Sequence, residues 1–372
     1  MLNERLAARR LPVLLPRDEM LSVLQTEIFG TLPERPTALT FTAQEKIVPK
    51  FCAGKADIHR VTAHCVVRGK EFSFPFSAVL PTDGKRHPFF IHINFRDAVP
   101  DRYMPTEELV DNGFAVLSFC YADVTEDGGD FTDGLAGVLF ENGKRRPTDP
   151  GKIALWAWAA QRVLDWAETR ADVLDLDRAV VCGHSRLGKT ALVAAATDER
   201  FRFAYSNDSG CAGAALARGT HGETVADICE RFPFWFCENY LQYADNESAM
   251  PFDQHFLLAC IAPRFVCVGS ASEDAWADPI SEQLCCLAAS PAFANGFVCP
   301  DRPAETGEQF FDGDVGYHLR RGQHYFSRED WQRLIGFVEM KSEFTKQQPL
   351  VIPRSEATWG SPVDAKKSRR MQ

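Results

Sequence analysis

The run Val180-Val-Cys-Gly-His-Ser-Arg-Leu-Gly-Lys-Thr-Ala-Leu constrains this chain more than any other stretch. A short apolar strand enters Gly183-His184-Ser185, and a helical pattern begins at once. A strand that turns directly into a helix is the repeating step of a parallel sheet covered by helices. Gly183 removes a Cβ where strand and helix crowd together. Such a turn presents a serine Oγ above the carboxyl edge of the sheet, as a nucleophile elbow does. The helix N-terminus adds N–H groups and positive potential where an oxyanion would form. An ordinary serine N-cap would satisfy the same turn. The run also departs from plain G-x-S-x-G, because Leu187 stands where the second glycine belongs and Gly188 follows one later.

The surrounding pattern agrees with such a sheet. Residues from Cys52 to Phe76 alternate apolar and polar, as antiparallel strands near a sheet edge do. Pro88–Phe95 and Phe114–Tyr121 are continuous apolar runs of strand length, the mark of buried central strands. Asp127–Pro150, rich in Gly and Asp, reads as a long loop. Helical spacing returns over Ile153–Glu168, and strands are expected over Arg178–Cys182, Phe203–Asn207 and Phe265–Val268. A last amphipathic helix is expected over Trp331–Phe344. The fold class is therefore α/β: an α/β-hydrolase fold, a three-layer α/β/α sandwich with a mostly parallel central sheet. Residues 1–50, with a weak helical pattern in Leu14–Phe29, are expected as an N-terminal arm packed on a main domain spanning 51–346. Residues 347–372 form a polar tail.

Composition narrows the function. With 41 Lys+Arg against 51 Asp+Glu the net charge is −10, the wrong sign for a nucleic-acid surface. No apolar run approaches the roughly 18 residues of a membrane helix. The first ten residues, Met1-Leu-Asn-Glu-Arg-Leu-Ala-Ala-Arg-Arg, do not read as a secretory signal. The twelve cysteines lack zinc-type spacings. They are expected as reduced, mostly buried thiols of a cytoplasmic protein. No nucleic-acid, membrane, cofactor or metal partner is expected. The oligomeric state is left open.

A serine nucleophile in this fold is followed in the chain by an acid and then a histidine. The segment Gly316-Tyr-His-Leu-Arg-Arg-Gly-Gln-His324-Tyr supplies the histidine. His324 sits in a glycine-containing loop just before the last helix, whereas His318 lies in a strand-like stretch and is expected to be structural, as is His255. Two acids compete. Asp208 ends the strand after the nucleophile helix, in Tyr205-Ser-Asn-Asp-Ser-Gly. Asp274 follows the next strand, in Gly269-Ser-Ala-Ser-Glu-Asp-Ala-Trp-Ala-Asp-Pro. Asp278, close behind, also suits the cap of a helix starting at Pro279.

Gly183-His-Ser-Arg-Leu-Gly-Lys resembles the G-C-S-R-x-G-K elbow of the glucuronoyl (4-O-methylglucuronoyl methyl) esterases, a carbohydrate-esterase family of α/β-hydrolases. The resemblance continues through Asp208-Ser-Gly-Cys-Ala-Gly-Ala, Gly222-Glu-Thr-Val, Phe234-Trp-Phe, Leu257-Leu-Ala-Cys-Ile-Ala-Pro-Arg, Trp276-Ala-Asp-Pro and Gly322-Gln-His. It implies an oxyanion role for Arg186 and sugar contacts for Lys189 and Trp276. It also implies a pocket glutamate near Glu238. It places the acid at Asp208-Ser-Gly, where the family has Glu-Ser-Gly, so the expectation leans to Asp208 over Asp274. His184 replaces the small cysteine of the elbow. The implied activity is hydrolysis of a glucuronoyl ester of a xylan-derived oligosaccharide, with Ser185, His324 and an acid as the triad. The alternatives are an acetyl esterase acting on acetylated xylo-oligosaccharides, or an inactive hydrolase scaffold that binds carbohydrate or protein.

Overall fold

A computed structural model describes residues 1–347; the expected tail beyond them lies outside the described residues. Ten strands form one sheet: β1 (Ala38–Lys50), β2 (Ala56–Val67), β3 (Lys70–Pro81), β4 (His87–Asn94), β5 (Ala115–Cys120), β6 (Leu174–His184), β7 (Phe203–Asn207), β8 (Phe265–Ala271), β9 (Gln309–Phe310) and β10 (Val315–Arg320). Their spatial order is β1-β2-β3-β5-β4-β6-β7-β8-β10-β9. The run from β5 through β4, β6, β7 and β8 to β10 is parallel, and antiparallel pairs flank it at both ends. The helices used below are α1 (Leu2–Ala8), α2 (Arg17–Glu27), α3 (Lys152–Glu168), α4 (Arg186–Thr197), α5 (Val225–Arg231), α6 (Pro279–Ala289) and α7 (Arg328–Gln347).

Side-chain alternation along the central strands builds two cores. Phe89, Ile91, Ala179, Val181 and Ala204 face one side, packed with Trp156 and Leu164 of α3, Leu192 of α4 and Leu284 of α6. Phe90, Val116, Val180, Cys182, Phe203 and Phe265 face the other, packed with Trp331, Leu334 and Phe337 of α7. Strands buried on both faces need continuous apolar runs, as the sequence has there. All twelve cysteines are free thiols, and no helix among the described residues is long and apolar enough to cross a membrane.

The N-terminal region divides where one arm was expected. Leu2 of α1 is buried, and Arg17 at the start of α2 donates to the carbonyls of Cys260 and Ala196 at 3.0 and 2.9 Å. Residues 38–50 are instead β1, paired antiparallel with β2 from Ala38↔Val66 to Val48↔Ile58. The sheet therefore begins before residue 51. The expected loop over 127–150 contains a short helix, Gly134–Leu139. It is anchored by the buried Lys152, whose Nζ donates to Thr125 Oγ1, the Asp130 carbonyl and Asp133 at 2.7, 2.6 and 2.9 Å.

Candidate active site

Ser185 stands between β6 and α4 with φ +57° and ψ −127°. That left-handed backbone is strained for a residue with a Cβ, and it is maintained by its surroundings. The Ser185 N–H donates to the Asn207 carbonyl at 2.8 Å, which ties the turn to the end of β7. A Cβ on Gly183 would meet the Leu187 carbonyl oxygen at 2.2 Å, so only glycine allows α4 to start this close to β6. Arg186 opens α4, in the turn where N–H groups have no intrahelical acceptor.

The candidate base, His324, lies in the loop between β10 and α7. His324 is 43% exposed, and its Nδ1 lies 2.6 Å from Oδ2 of the buried Asp274. A carboxylate accepts only, so Nδ1 donates to it and the proton sits on Nδ1, which leaves Nε2 as the ring's lone-pair nitrogen. The two loops are joined along their backbones: Ser272 N–H donates to the Arg320 carbonyl and Glu273 N–H to the Gly322 carbonyl, each at 2.9 Å. His184, beside Ser185, packs its ring 4.4 Å from that of His324. Its Nδ1 lies 2.7 Å from Asn207 Oδ1. Burial, with the neighbouring His324, pushes the His184 pKa well below the usual imidazole range. A neutral ring thus braces the base without a competing charge.

The lean towards Asp208 is corrected by this geometry. Asp208 directly follows β7, and its carboxylate, that of Asp274 and His324 place one ligand atom each within 4.8 Å of one another. The hydrogen bond to His324 nevertheless comes from Asp274, while Asp208 Oδ2 accepts from Arg320 Nη2 at 3.2 Å. The aspartate arm is one methylene shorter than a glutamate arm, and a buried guanidinium already holds its outer oxygen. Burial, with Asp330 and Glu282 nearby, pushes the Asp208 carboxyl well above the usual carboxylate range, and Arg320 opposes the shift. Asp278 is the N-cap of α6: its side chain accepts from Ser281 N–H at 3.1 Å and from His221 N–H at 2.8 Å.

The remaining expected residues surround this centre. Arg186 forms an ion pair with Asp127, and its guanidinium lies 5.1 Å from the Trp235 ring and 5.4 Å from the Phe95 ring. Asp127 also accepts from Trp235 Nε1 at 2.6 Å. The arginine is thus clamped by a carboxylate and two ring faces, and its buried Nε has no partner among the described residues. Lys189 is buried on the next turn of α4 and donates to the Ser209 carbonyl. Burial lowers its pKa, with Glu223 opposing. Trp276 is 44% exposed, with the Arg231 guanidinium 4.9 Å from its ring.

Glu238 does not join them. It is exposed, at the start of a 3₁₀ helix over Glu238–Tyr243, and its charge acts on Arg145. The buried Glu223 instead raises the Lys189 pKa against burial, as Glu282 does, and its N–H donates to the Trp276 carbonyl at 2.9 Å. A Cβ on Gly222 would meet that same carbonyl at 2.3 Å, so Gly222-Glu223 is packed directly against the tryptophan's backbone.

The family described as "Glucuronyl esterase, fungi" matches residues 63–295, more than half of the chain. The chain belongs to the glucuronoyl esterase family. A carbohydrate esterase from an unknown prokaryotic organism is 31% identical over 87% of this chain and 83% of its own length. A 4-O-methyl-glucuronoyl methylesterase of Podospora anserina is 28% identical over 72% of this chain, and the match spans only 53% of that protein. Among solved structures, a glucuronoyl esterase from Solibacter usitatus superposes with a TM-score of 0.78 at 29% identity, covering 87% of this chain and 91% of that one. One from Teredinibacter turnerae gives 0.79 at 30% identity, with 88% and 84% covered. The α/β-hydrolase fold expected from the sequence is shared with these esterases.

Four residues of this glucuronoyl esterase site were not singled out by the sequence reading. Glu223 lies inside Gly222-Glu-Thr-Val, so its signal is in the sequence, and the structure buries it while Glu238 is exposed. Asp127 opens the Gly- and Asp-rich stretch 127–150, which reads as a long loop. Asn207 and Arg320 occupy strand ends at the same sheet edge as Asp208, where position alone marks a residue as a candidate.

Proposed function

We propose that this protein hydrolyses a (4-O-methyl)glucuronoyl ester of a xylan-derived oligosaccharide through a serine acyl-enzyme. His324 Nε2 takes the proton of Ser185 Oγ as that oxygen attacks the ester carbonyl. Asp274 holds the imidazole in the right tautomer and stabilises the imidazolium as it forms. The developing oxyanion meets the Arg186 N–H and guanidinium. They are positioned beforehand, so they contribute most as negative charge appears. The imidazolium returns its proton to the leaving alcohol. Water, deprotonated by His324, then attacks the acyl-enzyme and releases the uronic acid and Ser185.

The observation that carries this reading is the 2.6 Å hydrogen bond from His324 to Asp274 beside the strained Ser185. Lys189, Glu223 and Trp276 support a sugar on the acyl side, since they combine charged hydrogen-bonding groups with an exposed ring face. The family relationship supports the uronate, and the free thiols support a reducing, cytoplasmic setting. Ser185→Ala, with turnover of methyl glucuronate as the readout, tests the route. Turnover is expected to vanish while the thermal midpoint stays near wild type, because one hydroxyl on a half-buried turn contributes little to stability. Retained turnover in Ser185→Ala contradicts it.

A further inference from the structure

We propose that Arg320 is the positioning residue of the active site, a single buried guanidinium around which the loop carrying His324 is folded. This inference rests on the esterase reading above. Arg320 ends β10, and its side chain is 1% exposed. Nη2 donates to the carbonyls of Gln323, at 2.9 Å, and Tyr325. These two residues flank His324 directly. Nη1 donates to the Arg321 carbonyl at 3.2 Å. Nε donates to Asp330 Oδ2 at 2.6 Å.

That last bond reaches past the loop to the start of α7. The same Asp330 oxygen accepts from Ser327 N–H and Oγ at 2.8 and 2.7 Å, and Asp330 N–H donates back to Ser327 Oγ at 3.1 Å. The segment from residue 321 to 327 is therefore fixed at its β10 end, at both sides of His324 and at its α7 end by one group. The Tyr325 ring covers the guanidinium at 4.3 Å. Gly322, with φ +122°, folds over it at a distance where a Cβ would meet Nη1 at 2.9 Å.

The geometry requires an arginine. A guanidinium presents several donors in one rigid plane, and a lysine presents a point charge that cannot reach carbonyls on both sides of His324 and Asp330 together. The histidine is otherwise 43% exposed and has one side-chain hydrogen bond given above, to Asp274. The orientation of its ring depends on its backbone. A displacement of about 1 Å in such a group lowers the rate by about a hundredfold. The pairing of Arg320 with Asp208 has a second result: it leaves Asp274 as the carboxylate free to serve the base.

The test compares wild type, Arg320→Lys and the double variant Arg320→Gln/Asp208→Asn, with Asp208→Asn as reference. The readouts are kcat and KM for methyl glucuronate and the low-field Nδ1 proton of His324 in the ¹H NMR spectrum. For folded Arg320→Lys the expected result is a fall in kcat of about a hundredfold, KM within about twofold, and loss or broadening of the low-field proton. Wild-type kcat with an unchanged proton signal in that variant overturns the proposal. If Arg320→Lys does not fold, the double variant removes the guanidinium and the Asp208 carboxyl together, leaves Asp330 its bonds from Ser327, and carries the same expectation. Activity restored to the Asp208→Asn level in the double variant also overturns the proposal, since it would reduce Arg320 to a counter-charge. A wild-type protein that leaves methyl glucuronate untouched refutes the functional reading instead, and the NMR comparison still decides the role of Arg320.

Discussion

Two strand ends at one sheet edge offer a carboxylate to the same histidine, and they are used differently. Asp208 follows β7 and is enclosed: its N–H donates to the Gly269 carbonyl at 2.8 Å, φ is +45°, and Arg320 holds one oxygen while the other is buried without a partner among the described residues. Asp274 follows β8 on a loop that pairs with the histidine loop itself, and it meets Nδ1 squarely. Proximity is therefore not what distinguishes them. The difference lies in which loop is bonded to the segment that leads to the base, and in which carboxylate already has a cation. In a buried site a guanidinium can turn a well-placed acid into part of the scaffold.

The largest expected effect tests that division. Asp274→Asn keeps the shape but loses the acceptor that fixes the tautomer, so kcat is expected to fall by about 10³–10⁴. A loss under tenfold would remove Asp274 from the triad. Next comes the sugar side. Lys189→Met keeps the buried stem and removes the ammonium. It is expected to lower kcat/KM for methyl glucuronate by about a hundredfold, equivalent to about 2.7 kcal/mol, and for p-nitrophenyl acetate by a few-fold only. Equal losses on both substrates would place Lys189 in the scaffold with Asp208 and favour a general acetyl esterase. A smaller effect is expected for Asp208→Asn, with kcat within about fivefold of wild type because Arg320 keeps Asp330 as its partner.

The smallest effect concerns stability behind the enclosed strand end. Glu282 accepts from the N–H groups of Ser209 and Gly210 at 2.9 and 3.0 Å and from Ser270 Oγ at 2.5 Å. Burial nonetheless pushes its carboxyl up to about 8 from an ordinary 4.5. The folded state then holds a proton that the unfolded chain has released. Its contribution is complete below about pH 4.5 and declines until about pH 8, at a limiting slope of about 1.4 kcal/mol per pH unit. Glu282→Gln removes the titration. Its thermal midpoint is expected to gain on wild type across this window, and parallel profiles would show that Glu282 stays ionised.

Local features of the sequence carried the fold and the elbow. Gly183, Ser185 and the apolar strand before them lie within one short stretch, so their conformation is written in neighbouring residues. The apolar runs at β4 and β5 were legible for the same reason: both faces are buried. β1 was not, because most of its side chains are exposed and no burial period marks it as a strand. The choice between Asp208 and Asp274 was not legible either. It is set by Arg320, far along the chain from Asp208 and paired with it only once β7 and β10 lie in one sheet. Glu223 and Glu238 differ in the same way, since only the folded chain shows that Glu223 is buried and Glu238 exposed.

Covalent labelling by a fluorophosphonate probe reads the assembled triad in a single step, because the probe reacts with a serine only when its base is correctly oriented. Wild type and Asp208→Asn are expected to gain one probe on Ser185 at similar rates, and Asp274→Asn and Ser185→Ala to gain none on the same timescale. Labelling that survives in Asp274→Asn and disappears in Asp208→Asn would contradict the assignment of Asp274 as the acid of this site.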